Sequence, residues 1–238
     1  PKGDNGVPRL RNALMAAEAL GRLFGKEAFN DLMEYRHHTF PYDFLRRPDG
    51  AEPLVYNSAV LQGVMNGFAE IGTPEAVKEI FLILKARNVL RYTGSVALPQ
   101  NVPLHYQEFA SGLLDTANTA LGKVNESVIR STLEHQLSDQ ELADLLRQYH
   151  EQGRTEIGNF EVWYPELLFK LILPYVSPQK LARAIQNLTP DVREEIVRFA
   201  PYGLKADVVE LARSQGIVIP GLERWNIEEL RRKQGKVN

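Results

Sequence analysis

The stretch VYNSAVLQGVMNGFAEIGTPEAVKEIFLILKARNV, Val55 to Val89, reads as two helices joined by a tight turn, and the fold class follows from it. Val60, Leu61, Val64, Phe68 and Ile71 recur at helical spacing, which predicts a helix from about Asn57 to Glu70. Gly72 ends it. Thr73 is suited to cap a second helix, because its hydroxyl can accept a hydrogen bond from an otherwise unpaired amide. Pro74 suits the first helical position, where a missing N–H costs nothing. Val77, Ile80, Phe81 and Leu84 then form one apolar stripe, with Glu75 complementing the positive helix end. The small Ala76 is expected to let the two helices approach closely.

Working outward, the same hairpin recurs upstream. Helices are predicted over 12–21 and 26–36, and a 48-residue offset sets Glu27-Ala28-Phe29 on Glu75-Ala76-Val77. The connector 40–53 between the pairs holds Pro41, Pro48, Pro53 and Asp49-Gly50, yet its Phe40, Tyr42, Phe44 and Leu45 are too apolar for a free linker. It is expected to pack over the first hairpin. Downstream, 107–121 and 126–136 form an answering pair, with Gly122 expected to stop the first. Ser138 and Glu141 have capping-box spacing and open a helix carrying Leu142, Leu145, Leu146 and Tyr149, with Gly153 expected to close it. The apolar run 161–175 is expected to be a buried helix. Ser177-Pro178 and Thr189-Pro190 repeat the start seen at Thr73-Pro74. A helix over 205–215 ends at Gly216, followed by an extended arm, 217–225, and a short charged helix, 227–233.

No convincing alternating strand pattern stands out. The expected fold is therefore all-α: antiparallel helix hairpins stacked as a short α-solenoid or a compact helical bundle. The expected organisation is one helical-repeat domain over 1–238, with two hairpins in 10–92, further hairpins in 104–216 and an arm with a short helix in 217–238.

The 238 residues are 44% hydrophobic and 24% charged, enough to bury a sizeable core. A net charge of −2 gives no global basic field for sequence-independent binding to nucleic acid. Cysteine is absent, which excludes disulfides, thiolate zinc sites and a thiol nucleophile. No apolar run is long enough to span a bilayer; the richest, Leu167 to Val176, is interrupted by Lys170 and Pro174. The opening PKGDNGVP has neither an initiator Met nor an apolar signal core, so any targeting segment is expected to precede this numbering.

Catalytic patterns are not evident. His37-His38 lies near Glu34 and Asp43, but adjacent histidines diverge on a helix and no third ligand has the required spacing. Gly21 to Lys26 lacks the leading glycine of a phosphate loop and has Glu27 where a magnesium-binding hydroxyl should stand. Glu194-Glu195 and Glu228-Glu229 sit in charged helical surroundings that read as solvated faces. No enzyme activity, metal, cofactor or small-molecule substrate is expected. Phe40, Tyr42, Phe44, Arg46 and Arg47 combine aromatic rings with arginines, a composition enriched at binding hot spots, and with Trp225 of the C-terminal arm they are the candidate protein-interface residues. Trp163-Tyr164 reads as core.

The opening stretch resembles a pentatricopeptide (PPR) repeat. Val55-Tyr56-Asn57-Ser58 is similar to its opening, Gly72 to its inter-helix glycine, Glu75-Ala76 to its glutamate-alanine pair, and Ala86-Arg87-Asn88-Val89 to its closing turn. Leu14 to Pro41 is a weaker match, through Ala17, Gly21, Glu27-Ala28, Leu32-Met33 and Pro41. The connectors exceed those of tandem repeats, and the C-terminal half matches only as generic hairpins. The resemblance implies two possible functions. One is a degenerate, non-catalytic structural subunit or adaptor among other protein subunits of a mitochondrial (matrix-side) complex, such as the euglenozoan ATP synthase, with a cytoplasmic place as the alternative. The other is organellar RNA binding, in which Ser58 and Asn88 fall at or near the family's base-reading positions. Degenerate spacing and acidic balance favour the first.

Overall fold

The computed structural model describes residues 6–39, 51–84, 104–152, 154–157, 160–163, 168–216 and 225–235. The fold is all-α, and the described residues include one short β-hairpin. The chain divides into two compact units, Pro1–Ile129 with Arg154–Trp163, and Arg130–Gly153 with Tyr164–Asn238.

In the first unit the central element is α3 (Ala51–Ile71), against which α1 (Gly6–Phe24), α2 (Phe29–Thr39), α4 (Pro74–Leu84) and α5 (Leu104–Lys123) all pack. Its Val60, Leu61, Val64, Met65 and Phe68 are buried, and Val77, Ile80, Phe81 and Leu84 of α4 complete the core beside them. The turn between these helices follows from its sequence. Gly72 adopts φ 63°, a left-handed conformation that suits glycine, and its amide donates to the Phe68 carbonyl at 3.0 Å. The Thr73 hydroxyl then accepts from the Ala76 amide at 3.3 Å. Upstream, Gly25 does the same for α1 with φ 54°, and a single 3-10 turn (Gly25–Ala28) leads into α2.

Helices α1 and α3 approach closely, and Ala76 at the start of α4 is fully buried. Ala17 and Gly21 on one helix face Gly63 and Gly67 on the other, four residues apart on each, so the backbones touch. A Cβ on Gly63 would meet the Leu14 carbonyl oxygen at 2.6 Å, and one on Gly67 the Ala17 carbonyl oxygen at 2.6 Å. Two expectations are corrected. Helix α3 begins at Ala51, within what was expected to be connector. Pro53 falls in its first turn, where no intrahelical partner for its missing N–H is needed. Helix α5 runs through Gly122 to Lys123, because one glycine near a helix end costs only about 1 kcal/mol.

The same unit contains β1 (Arg154–Ile157) and β2 (Phe160–Trp163), antiparallel with Ile157 opposite Phe160 and Arg154 opposite Trp163. The expected helix over 161–175 is thereby corrected at 161–163, while 164–167 lie outside the described residues and 168–169 are helical. Its burial holds, since Leu168, Phe169, Leu171, Ile172 and Leu173 are all buried, but 170–175 forms successive turns rather than a helix. Pro174 explains part of this: it has no N–H to donate, and it disfavours helical geometry in the residue before it.

The second unit packs α7 (Asp139–Gln152) against α8 (Pro178–Gln186) and α9 (Pro190–Phe199), α8 against α10 (Tyr202–Ser214), and α10 against α11 (Ile227–Gln234). Helix α6 (Glu126–Ser131) runs into a π-helical turn, Thr132–Gln136. The Ser138 capping box forms as its spacing predicts. The Glu141 amide donates to the Ser138 hydroxyl at 3.1 Å, and the Ser138 amide to the Glu141 carboxylate at 2.8 Å. Leu142, Leu145, Leu146 and Tyr149 lie fully buried on one face, and burial pushes the Tyr149 phenol well above its ordinary pKa. Gly216, φ 66°, closes α10. Gly153 lies outside the described residues, as does most of the expected arm.

Candidate functional site

Helix α1 is built with its small residues turned inward. Because Ala17 and Gly21 face α3, the large side chains of α1 fall elsewhere on its surface. Met15 is 54% exposed, Leu23 73% and Phe24 55%, and Tyr35 of α2 is 48% exposed. Met15 and Leu23 are eight residues apart, with half-buried Ala19 midway, so they share one helix face. Water-facing apolar side chains of this size, gathered in one hairpin, mark an interaction surface more often than scattered single ones do.

The same unit holds a groove of about 450 Å³, lined by Lys26, Phe29, Ile71, Thr73, Pro74 and Glu75. The two glycine turns make it, since Gly25 delivers Lys26 and Phe29 to one side and Gly72 delivers Thr73, Pro74 and Glu75 to the other. Phe29 is fixed from behind by Phe68, with ring centroids 5.7 Å apart. Phe29, Ile71 and Pro74 supply apolar walls, while Lys26 and Glu75 place one charge of each sign there. Thr73 is already engaged as a helix cap. Such a groove can seat an apolar side chain of a partner.

Charged residues around this hairpin serve to hold it. Arg22 pairs with Glu18 at 2.6 Å and Glu70 at 3.6 Å, and Lys123 reaches the same two carboxylates at 3.6 Å each. Helices α1, α3 and α5 are thus tied by one network. Arg36 of α2 and Glu79 of α4 form an ion pair with both side chains largely buried, and burial holds the Arg36 pKa below its ordinary value. In the second unit Lys180, 4% exposed, bonds the carbonyls of Glu134 and Leu137 at the end of the π-helical turn and pairs with Asp139 at 3.1 Å. Ser177 caps α8 by accepting from the Lys180 amide at 3.1 Å and donates its hydroxyl to Glu134 at 2.8 Å.

Of the residues singled out from sequence, Phe40, Tyr42, Phe44, Arg46, Arg47 and Asn88 lie outside the described residues, as do Asp43 and Tyr164. Ser58 falls in the first half of α3, and His37 and His38 in the last turn of α2; their side chains are not among those described. Trp225 is half-buried just before α11. The Lys205 ammonium lies 5.2 Å from its ring centroid, and its carbonyl accepts from Arg213 at 2.9 Å. Among the described residues, no three His, Cys, Asp or Glu side chains come together to hold a metal. None of their helices is long and apolar enough to cross a membrane. Sequence reasoning missed Met15, Leu23, Phe24 and Tyr35. The signal was present in the matched small residues Ala17/Gly21 and Gly63/Gly67, which fix the buried face of α1 and leave the bulky residues outside it.

No protein-family model matches the chain, and neither a curated protein nor a solved structure does so.

Proposed function

We propose that this chain is a non-catalytic helical adaptor or structural subunit, with PPR-like hairpins, that binds a partner subunit of a mitochondrial multiprotein complex through its first hairpin. The observation carrying this reading is the exposure of Met15 and Leu23 on one face of α1, with Phe24 and Tyr35 also exposed on that hairpin. Burying such side chains against a partner contributes about 25 cal/mol per Å² of apolar surface removed from water. The groove beside Gly25 adds a pocket for an anchoring side chain, and interface energy concentrates in such pockets. The mitochondrial assignment rests on the resemblance of Val55 to Val89 to a PPR motif, and an ATP synthase-like assembly is one candidate.

Isolation of the tagged chain from its native cells at moderate salt tests the proposal. A fixed set of polypeptides should copurify in constant proportion, and an electrophoretic shift assay should show no sequence-selective RNA binding. Selective RNA binding that a Ser58→Ala/Asn88→Ala variant abolishes would instead establish the RNA-reading alternative.

A further inference from the structure

In the second unit, α11 is held on α10 by contacts of a different kind from those that hold α8. Lys180, Leu181, Ala182, Ala184 and Ile185 of α8 are buried, whereas in α11 only Leu230 is, with Ile227 and the preceding Trp225 half-buried. The other attachments of α11 are polar and open to water. Arg231 reaches Asp207 at 3.2 Å and Glu210 at 2.5 Å, and all three side chains are roughly half exposed. The Arg213 guanidinium donates to the Trp225 carbonyl at 2.9 Å, the Lys205 ammonium lies 5.2 Å from the Trp225 ring centroid, and the Gln234 side chain lies over Gly203. Helix α11 therefore runs antiparallel to α10. Its Asn226 cap and its Lys233–Glu229 pair at 2.8 Å lie within the segment itself and do not attach it.

We infer that α11 is a releasable strap, which leaves α10 and unwinds as one piece, together with Trp225, while the rest of the second unit stays folded. Exposed ion pairs and a single exposed cation–π contact hold weakly, because water solvates the same charges when they separate and salt screens the pairs. One buried leucine is a small apolar anchor. A helix of 8 residues does not persist in water by itself, since it forms too few hydrogen bonds to offset the cost of nucleation. Release and unwinding are therefore a single step. That step exposes little apolar surface, so it is reached far more often than unfolding of the core around α7 and α8. It frees Asp207 and Glu210 on α10 together with the Trp225 ring, and the strap thereby decides when this acidic face of α10 is open.

The test is amide hydrogen–deuterium exchange of the full chain, comparing the amides of 227–234 with those of the buried stretch Leu142 to Leu146 in α7. Corrected for intrinsic rates, α11 should exchange at least about 10-fold faster than α7. Raising sodium chloride to about 0.5 M should speed α11 several-fold more and leave α7 unchanged. Arg231→Glu should act as salt does. Adding Asp207→Lys/Glu210→Lys to that variant should slow α11 again, a rescue that turns on charge and not on packing. Equal protection of α11 and α7 would overturn the inference. So would exchange of α11 indifferent to salt and to Arg231→Glu, loss of α7 protection in that variant, or failure of the charge swap to restore α11.

Discussion

Gly21 and Gly67 meet backbone to backbone: a Cβ placed on Gly21 would lie 2.2 Å from the carbonyl oxygen of Gly67. No rotamer change relieves such a contact, because the opposing atom is main chain. Gly21→Ala must push α1 away from α3 and should destabilise the first unit by about 1–3 kcal/mol, even after the ~1 kcal/mol gained from alanine's better helix propensity. Gly122, inside α5 with nothing within 4 Å of an added Cβ, provides the opposite case. Gly122→Ala should stabilise by up to about 1 kcal/mol. Urea titration of the two variants checks both signs.

The Arg36–Glu79 pair should show strong coupling. Glu79→Gln leaves the Arg36 charge buried without its carboxylate and should cost about 3 kcal/mol. The double variant Arg36→Met/Glu79→Leu removes both charges and should recover most of that loss. A double-mutant cycle by chemical denaturation measures the coupling directly.

Asp139 predicts the direction of acid sensitivity in the second unit. Its side-chain hydrogen bond with Arg183, at 2.8 Å, and the nearby Lys180 hold its carboxyl below the ordinary aspartate value. A carboxyl depressed on folding contributes stability that is fully present above the unfolded-state pKa and is lost as pH falls through the folded-state value. Asp139→Asn should therefore lower stability at neutral pH, and its difference from wild type should vanish as the pH falls below the aspartate range. Thermal melts across an acid series read this out.

Ser177 and Thr189 look alike in sequence, each followed by proline, yet they behave differently. Ser177 accepts from the Lys180 amide, whereas the Thr189 side chain makes no capping bond to its helix and instead bonds Asp191, whose carboxyl it holds low. Ser177→Ala should cost about 1 kcal/mol. Thr189→Ala should cost clearly less, as a paired denaturation experiment would show.

The helices and their ends were legible in the sequence where local chemistry decides them. Gly72, Thr73 and Pro74 specify a turn by themselves, and the reciprocal spacing of Ser138 and Glu141 specifies a cap. What sequence reading overlooked depends on partners distant along the chain. The contact of Ala17 and Gly21 with Gly63 and Gly67 needs two matching four-residue spacings to be compared, and neither is distinctive alone. The buried ammonium of Lys180 is explained by the carbonyls of Glu134 and Leu137 and the carboxylate of Asp139 that the fold brings to it. The hairpin at 154–163 was hidden because its strands are four residues each and the second adjoins an apolar run. Gly158-Asn159, a two-residue turn signal, was the available clue. The exposed residues of α1 were overlooked for the same reason, being recognisable only once its buried face is known, whereas the candidates in 40–47 lie outside the described residues.

The most direct measurement of the central claim is the native size of the tagged chain in a gentle extract of its own cells, compared with a Leu23→Ser/Phe24→Ser variant. Both side chains are more than half exposed, so the variant should fold with an unchanged melting temperature. Wild type should elute in a high-mass fraction and the variant at the size of the single chain. Elution of wild type as a free single chain, or retention of the folded variant in the assembly, would contradict the proposal that this hairpin joins the protein to its complex.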